Sequence, residues 1–162
     1  MSRRMAQYGM LCALMMIFGY VEAVFPVVLP IPGMKLGIAN VVLLLSLYTV
    51  GVRGAAAVFS ARVVLTALLF GNAFSFVLSA CGGAAALGVM ALLYRKGKTP
   101  LVWESACGGV MHNVGQILAA SVIFKNPDFF LYLPVLTVFG ALCGIVTGKL
   151  TERLLNMMKI RR

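Results

Sequence analysis

Acidic residues are almost missing from this chain. Glu22, Glu104, Asp128 and Glu152 are the only four among 162 residues, and no two stand closer than 24 positions. Hard divalent cations need several carboxylate oxygens at once, so this spacing excludes such a site. Histidine is nearly missing too, with His112 alone. Cys12, Cys81, Cys107 and Cys143 form no C-x-x-C pair and each falls inside an apolar run. They read as small buried hydrophobes, not as a disulfide framework or a metal centre. A G-x-x-x-x-G-K-[ST] phosphate loop is also lacking, so the chain is not expected to hydrolyse ATP. No catalytic constellation, metal site or cofactor is expected, and the chain does not read as an enzyme.

What is present is apolar. Hydrophobic residues make up 62% of the chain, and mean hydropathy is +1.01, outside the range of soluble domains. The formal net charge of +10 does not point to nucleic acid, because the basic residues sit in short clusters between apolar runs. Six segments are predicted to cross a lipid bilayer: about 5–24, 36–51, 54–70, 73–93, 101–124 and 129–149. The second and third are short and joined tightly through Gly51 and Gly54. The reading is an all-α integral membrane protein, one membrane domain over 1–162, with a basic interfacial tail at 150–162. The basic start and apolar run of the N-terminus resemble a signal peptide, but about 20 residues without a small-residue cleavage site favour a retained first span.

Charge sets the orientation. With the N-terminus inside, the cytoplasmic side receives eleven basic residues: Arg3, Arg4, Arg53, Arg95, Lys96, Lys98, Lys149, Arg153, Lys159, Arg161 and Arg162. The outer side receives Lys35 and Lys125. That asymmetry predicts a multi-pass plasma-membrane protein with both termini cytoplasmic.

Between the first two spans lies PVVLPIPGMKLGIAN, residues 26–40. Pro30 and Pro32 lack N–H donors and push their predecessors out of the helical region, and Gly33 permits a turn that other residues resist. A shaped, non-helical segment at the outer face is expected. Small residues at four-residue spacing mark close helix packing: Gly140, Gly144 and Gly148; Ala80, Ala84 and Gly88; Gly9 and Ala13. Each stripe reads either as a contact within the bundle or as a docking face for another membrane protein, the second most attractive for Gly9 and Ala13.

Polar groups in the bilayer need a reason. Arg62 stands about eight residues into the third span, roughly 12 Å deep. It is either a structural ion pair with Glu104 or Glu22, or an anchor for an anionic ligand group. In the fifth span His112, Asn113 and Gln116 lie on one side of the helix, as packing groups or as donors to an organic ligand. With Arg62, Glu22, Lys35 and Asn40 they outline a polar funnel opening outward. Glu104, beside an interfacial Trp103, either snorkels or pairs with Arg62 or Arg95.

PIPGMKLGIAN, then RVVLTALLFG at 62–71, HNVGQ at 112–116 and YLPVLTVFGALCGIVTG at 132–148 resemble the Gx transporter family, also labelled heptaprenyl diphosphate synthase component I. The resemblance spans nearly the whole chain. It implies the six-helix fold of the substrate-binding S components of energy-coupling factor (ECF) transporters. There, a loop after the first helix lids an outward site and small residues of that helix meet a membrane coupling subunit. It implies Lys35, Asn40, Arg62, His112, Asn113 and Gln116 as substrate-binding, Pro30, Pro32 and Gly33 as lid loop, and Gly9 and Ala13 as partner-docking. The partners implied are a small-molecule ligand, the bilayer, a coupling subunit and ATPases. Three functions stay open: this capture subunit, a non-catalytic accessory to isoprenoid-quinone synthesis or a membrane electron-transfer assembly, and a self-sufficient secondary transporter.

Overall fold

The run VVLLLSL at 41–47 offers a helix no polar face, and a helix apolar all round belongs inside a bundle. In the computed structural model, which describes residues 2–24, 37–70 and 73–160, all seven of these residues are buried. They form the first limb of α2 (Ile38–Phe70). Against α2 pack α1 (Ser2–Val24), α3 (Ala73–Lys96), α4 (Leu101–Phe124) and α5 (Leu133–Met157). Leu11 and Met15 of α1, Ala86 and Met90 of α3 and Leu155 of α5 share one apolar core with this limb. Ser46, the one hydroxyl in that run, donates to the Val42 carbonyl at 2.7 Å, so its polar group is satisfied where it is buried. A 3₁₀ turn (Pro127–Tyr132) joins α4 to α5.

The expected break between the second and third spans is a single residue rather than a loop. Gly51 has φ 75 and ψ 177, a region open in practice only to glycine. There the helix doubles back. The Ile38 N–H reaches Glu22, and the Arg62 guanidinium lies against Gly19, so both limbs of α2 meet the last turns of α1. Run straight, Ile38 and Arg62 would be about 36 Å apart. The tip packs at the other end of α1, with Gly54 against the Tyr8 ring.

Among the described residues there is no strand, and five helices are long and apolar enough to cross a membrane. The chain is thus a multi-pass, all-helical membrane protein. α5 shows no break at 149–150. It continues to Met157 with Thr151 and Leu155 still buried, so the expected tail begins as the last turns of a bundle helix. Pro30, Pro32, Gly33 and Lys35 lie outside the described residues.

The three small-residue stripes part company. Gly140, Gly144 and Gly148 are the seam between α5 and α4. Gly140 meets Gly109, and a Cβ on Gly144 would stand 2.6 Å from both the Ser105 carbonyl and the Ala106 Cα. Ser105 and Thr147 bridge this seam at 3.1 Å. Here packing within the bundle is the reading that holds. Ala84 and Gly88 of α3 are exposed instead, as are Gly9 and Ala13 of α1, and nothing lies within 4 Å of where a Cβ on Gly9 or Gly88 would be.

Candidate functional site

Where the last turns of α1 meet both limbs of α2 and the middles of α3, α4 and α5, the bundle is not filled. Asn40, Arg62, His112 and Asn113 line this cavity together with Glu22, Ser79 and Thr147, backed by Met15, Leu43 and Phe59. Its free volume is about 40 Å³, room for roughly three waters. Four of the six residues expected to bind substrate are therefore brought together. Lys35 lies outside the described residues, and Gln116 is elsewhere.

Arg62 is held by the second limb of α2. Gly19 makes room for it, since a Cβ there would stand 2.7 Å from the Arg62 Nη2. The Arg62 Nε is buried and has no hydrogen-bond partner. The acid that acts on this guanidinium is Glu22, not Glu104. A carboxylate in the last turn of α1 faces the negative end of its own helix dipole, which is unfavourable. Glu22 is compensated from outside: its Oε1 accepts the Ile38 N–H at 2.6 Å, capping α2 at its positive end. One side chain thus fastens α2 to α1 and faces Arg62. Sequence reading placed Glu22 near the outer surface, in the polar funnel and as a possible ion-pair partner of Arg62, but not among the binding residues. An acid in an apolar first span, two residues from its end, was the available signal.

Glu104 corrects a second expectation. It does not snorkel. It is fully buried and accepts the Tyr48 hydroxyl at 2.8 Å, with the Tyr94 ring edge-on to Tyr48 at 5.1 Å. Trp103 beside it is exposed.

Asn113 does two jobs. It lines the cavity, and its Nδ2 donates to the Leu136 carbonyl at 2.6 Å, tying α4 to the first turn of α5. Gly140 permits this, since a Cβ there would stand 2.6 Å from the same Nδ2. Gln116 is buried one turn beyond His112, about 6 Å along the axis, where α3 and α4 close on each other through Gly82 and Gly115. There it is the one amide in an otherwise apolar cleft with Phe74, Leu78, Ile117, Phe124 and Phe129. The cavity ends before it.

Among the described residues no group of three or more His, Cys, Asp or Glu could hold a metal ion. The polar cavity instead offers a guanidinium, a carboxylate, two amides, an imidazole and two hydroxyls, a set suited to hydrogen-bonding an organic molecule.

Residues 11–154 match the family described as heptaprenyl diphosphate synthase component I. No curated protein and no solved structure matches the chain.

Proposed function

We propose that this chain, which belongs to the heptaprenyl diphosphate synthase component I family, is a substrate-binding membrane subunit of the ECF type. It captures a small molecule from outside the cell. The observation that carries the reading is Arg62. An arginine at mid-span costs about 2.5–3.5 kcal/mol on the insertion scale, and this one presents a buried, unpartnered Nε on a polar cavity. A ligand with a carboxylate, phosphate or quinone-like carbonyl would meet that donor. We read six crossings, counting the limbs of α2 separately, with the cavity opening outward and both termini in the cytoplasm. Lys35, Asn40, His112 and Asn113 belong to the same site, and Pro30, Pro32 and Gly33 to its lid. Gln116 belongs to it only if the α3–α4 contact opens. The exposed Gly9 and Ala13 are the docking face for a coupling subunit with its ATPases.

The test is Arg62→Ala, purified beside the wild-type protein and analysed for co-purifying small molecules by mass spectrometry. The variant should fold, because Glu22 keeps its bond to Ile38, and should lose the ligand entirely. A variant that keeps the wild-type ligand sinks the reading.

A second reading is favoured by the family name itself, which implies a further component. The chain is then a non-catalytic membrane accessory of isoprenoid-quinone synthesis or of a membrane electron-transfer assembly. In that case the wild-type protein carries no ligand and co-purifies with a soluble synthase.

A further inference from the structure

Gln116 stands apart from the polar cavity, but it is not packed away. It is 7% exposed and lines a second cleft, between the first turns of α3, the second half of α4, the 3₁₀ turn and the start of α5. The free volume there is about 320 Å³, within the roughly 300–1,000 Å³ of small-molecule sites. Aromatic rings stand at its rim. Phe124 stacks on Phe129 with ring centres 5.4 Å apart and meets Phe74 edge-on at 5.2 Å. Ile117 and Leu136 are buried beneath them. Among the described residues no hydrogen bond reaches the Gln116 amide. An amide left so among apolar side chains is costly, and it presents an acceptor oxygen and a donor nitrogen side by side.

We propose that this cleft is a binding site of its own, for a small uncharged ring molecule that carries an N–H beside a C=O. The rings lie among Phe74, Phe124 and Phe129, and the polar edge pairs with Gln116. Such an edge spends both halves of the amide, donor to acceptor and acceptor to donor. Depth decides against a lipid chain. Gln116 lies nine residues back along α4 from the Lys125 cap, about 13.5 Å, whereas Phe124 and Phe129 flank the helix end. A lipid entering there keeps its head group at that end and sets only hydrocarbon against the amide. A flat molecule with a polar edge satisfies both levels. Arg62 takes no part in this cleft, so the inference does not rest on the function proposed for the polar cavity.

Carbostyril, two fused rings with that edge, is the probe, and naphthalene, the same rings without it, is the comparison. Equilibrium dialysis of the whole purified protein in detergent, against the same detergent alone, reads the probe bound beyond its partition into micelles. Wild-type protein should bind carbostyril saturably, about tenfold tighter than naphthalene, as expected for a buried hydrogen-bonded edge. Gln116→Leu removes the amide and keeps apolar bulk, so the two probes should bind it alike. Phe124→Ala opens the exposed rim and should weaken both. Arg62→Ala should change neither. If wild-type protein binds the two probes alike, the proposal is overturned, and the cleft holds apolar matter of any kind, lipid chains included. This comparison needs no variant, so it decides even where Gln116→Leu does not fold. Absence of saturable carbostyril binding overturns the proposal as well. So does loss of carbostyril in Arg62→Ala, which would put the molecule in the polar cavity instead.

Discussion

Two regions of this bundle are built on opposite terms. At the α4–α5 seam, glycines bring backbones into contact, and Ser105, Thr147 and Asn113 spend their polar atoms on the neighbouring helix or on their own. At the α1–α2 corner, Glu22 holds a helix end while Arg62 keeps a buried donor unspent over an open volume. Helices in lipid associate by close packing and satisfied polar groups. The seam is therefore a fastening, and the corner, which forgoes such satisfaction, is where binding is to be sought.

The sharpest way to break the comparison is at the seam. Gly144→Leu drives a side chain into the Ser105 carbonyl and the Ala106 backbone, neither of which can swing away. Overpacking of this kind costs about 1–3 kcal/mol or more. The variant should lose its monodisperse peak in size-exclusion chromatography or melt at least several degrees lower. Wild-type behaviour would show that the seam yields, and the contrast with the corner would collapse. A middle-sized effect is expected at the buried acid of α4. Tyr48→Phe removes the hydroxyl that donates to the fully buried Glu104, which should cost about 1–3 kcal/mol in thermal stability. Glu104→Gln in the same background should recover part of it. The smallest effect belongs to the exposed stripe of α1. Gly9→Ala meets nothing within 4 Å, so melting should be unchanged or slightly raised, by up to about 1 kcal/mol of helix propensity. If Gly9→Ala destabilises as Gly144→Leu does, the α1 stripe is structural and not a docking face.

What sequence could reveal follows the same division. The buried pole of α2 was legible because VVLLLSL has no polar side to turn outward. So was its break, because Gly51 and Gly54 stand between two apolar runs. Spacing of four marked Gly140, Gly144 and Gly148 as one face, but the same spacing marked Ala80, Ala84 and Gly88, of which Ala84 and Gly88 are exposed. Periodicity gives a face and not what the face meets. The partner of Arg62 was left open between two acids 82 positions apart, and only tertiary placement chooses Glu22. Gln116 was grouped with His112 and Asn113 by angle around the helix. Its separation is axial, set by Gly82 and Gly115 drawing α3 against α4, and no reading of α4 alone contains it.

Gly51 has a consequence for how the protein is made. The first limb of α2, residues 38–50, is thirteen residues long, about 20 Å of helix against a hydrocarbon layer of about 30 Å. By hydropathy alone, residues 38–69 form one apolar segment of 32 residues. An insertion machinery that partitions the nascent chain segment by segment meets here one long greasy stretch whose first half is too short to cross by itself. If the two limbs cross separately, as proposed above, they are expected to enter the bilayer together as a hairpin. On that reading a single glycine of positive φ sets the order of entry as well as the geometry of the finished bundle.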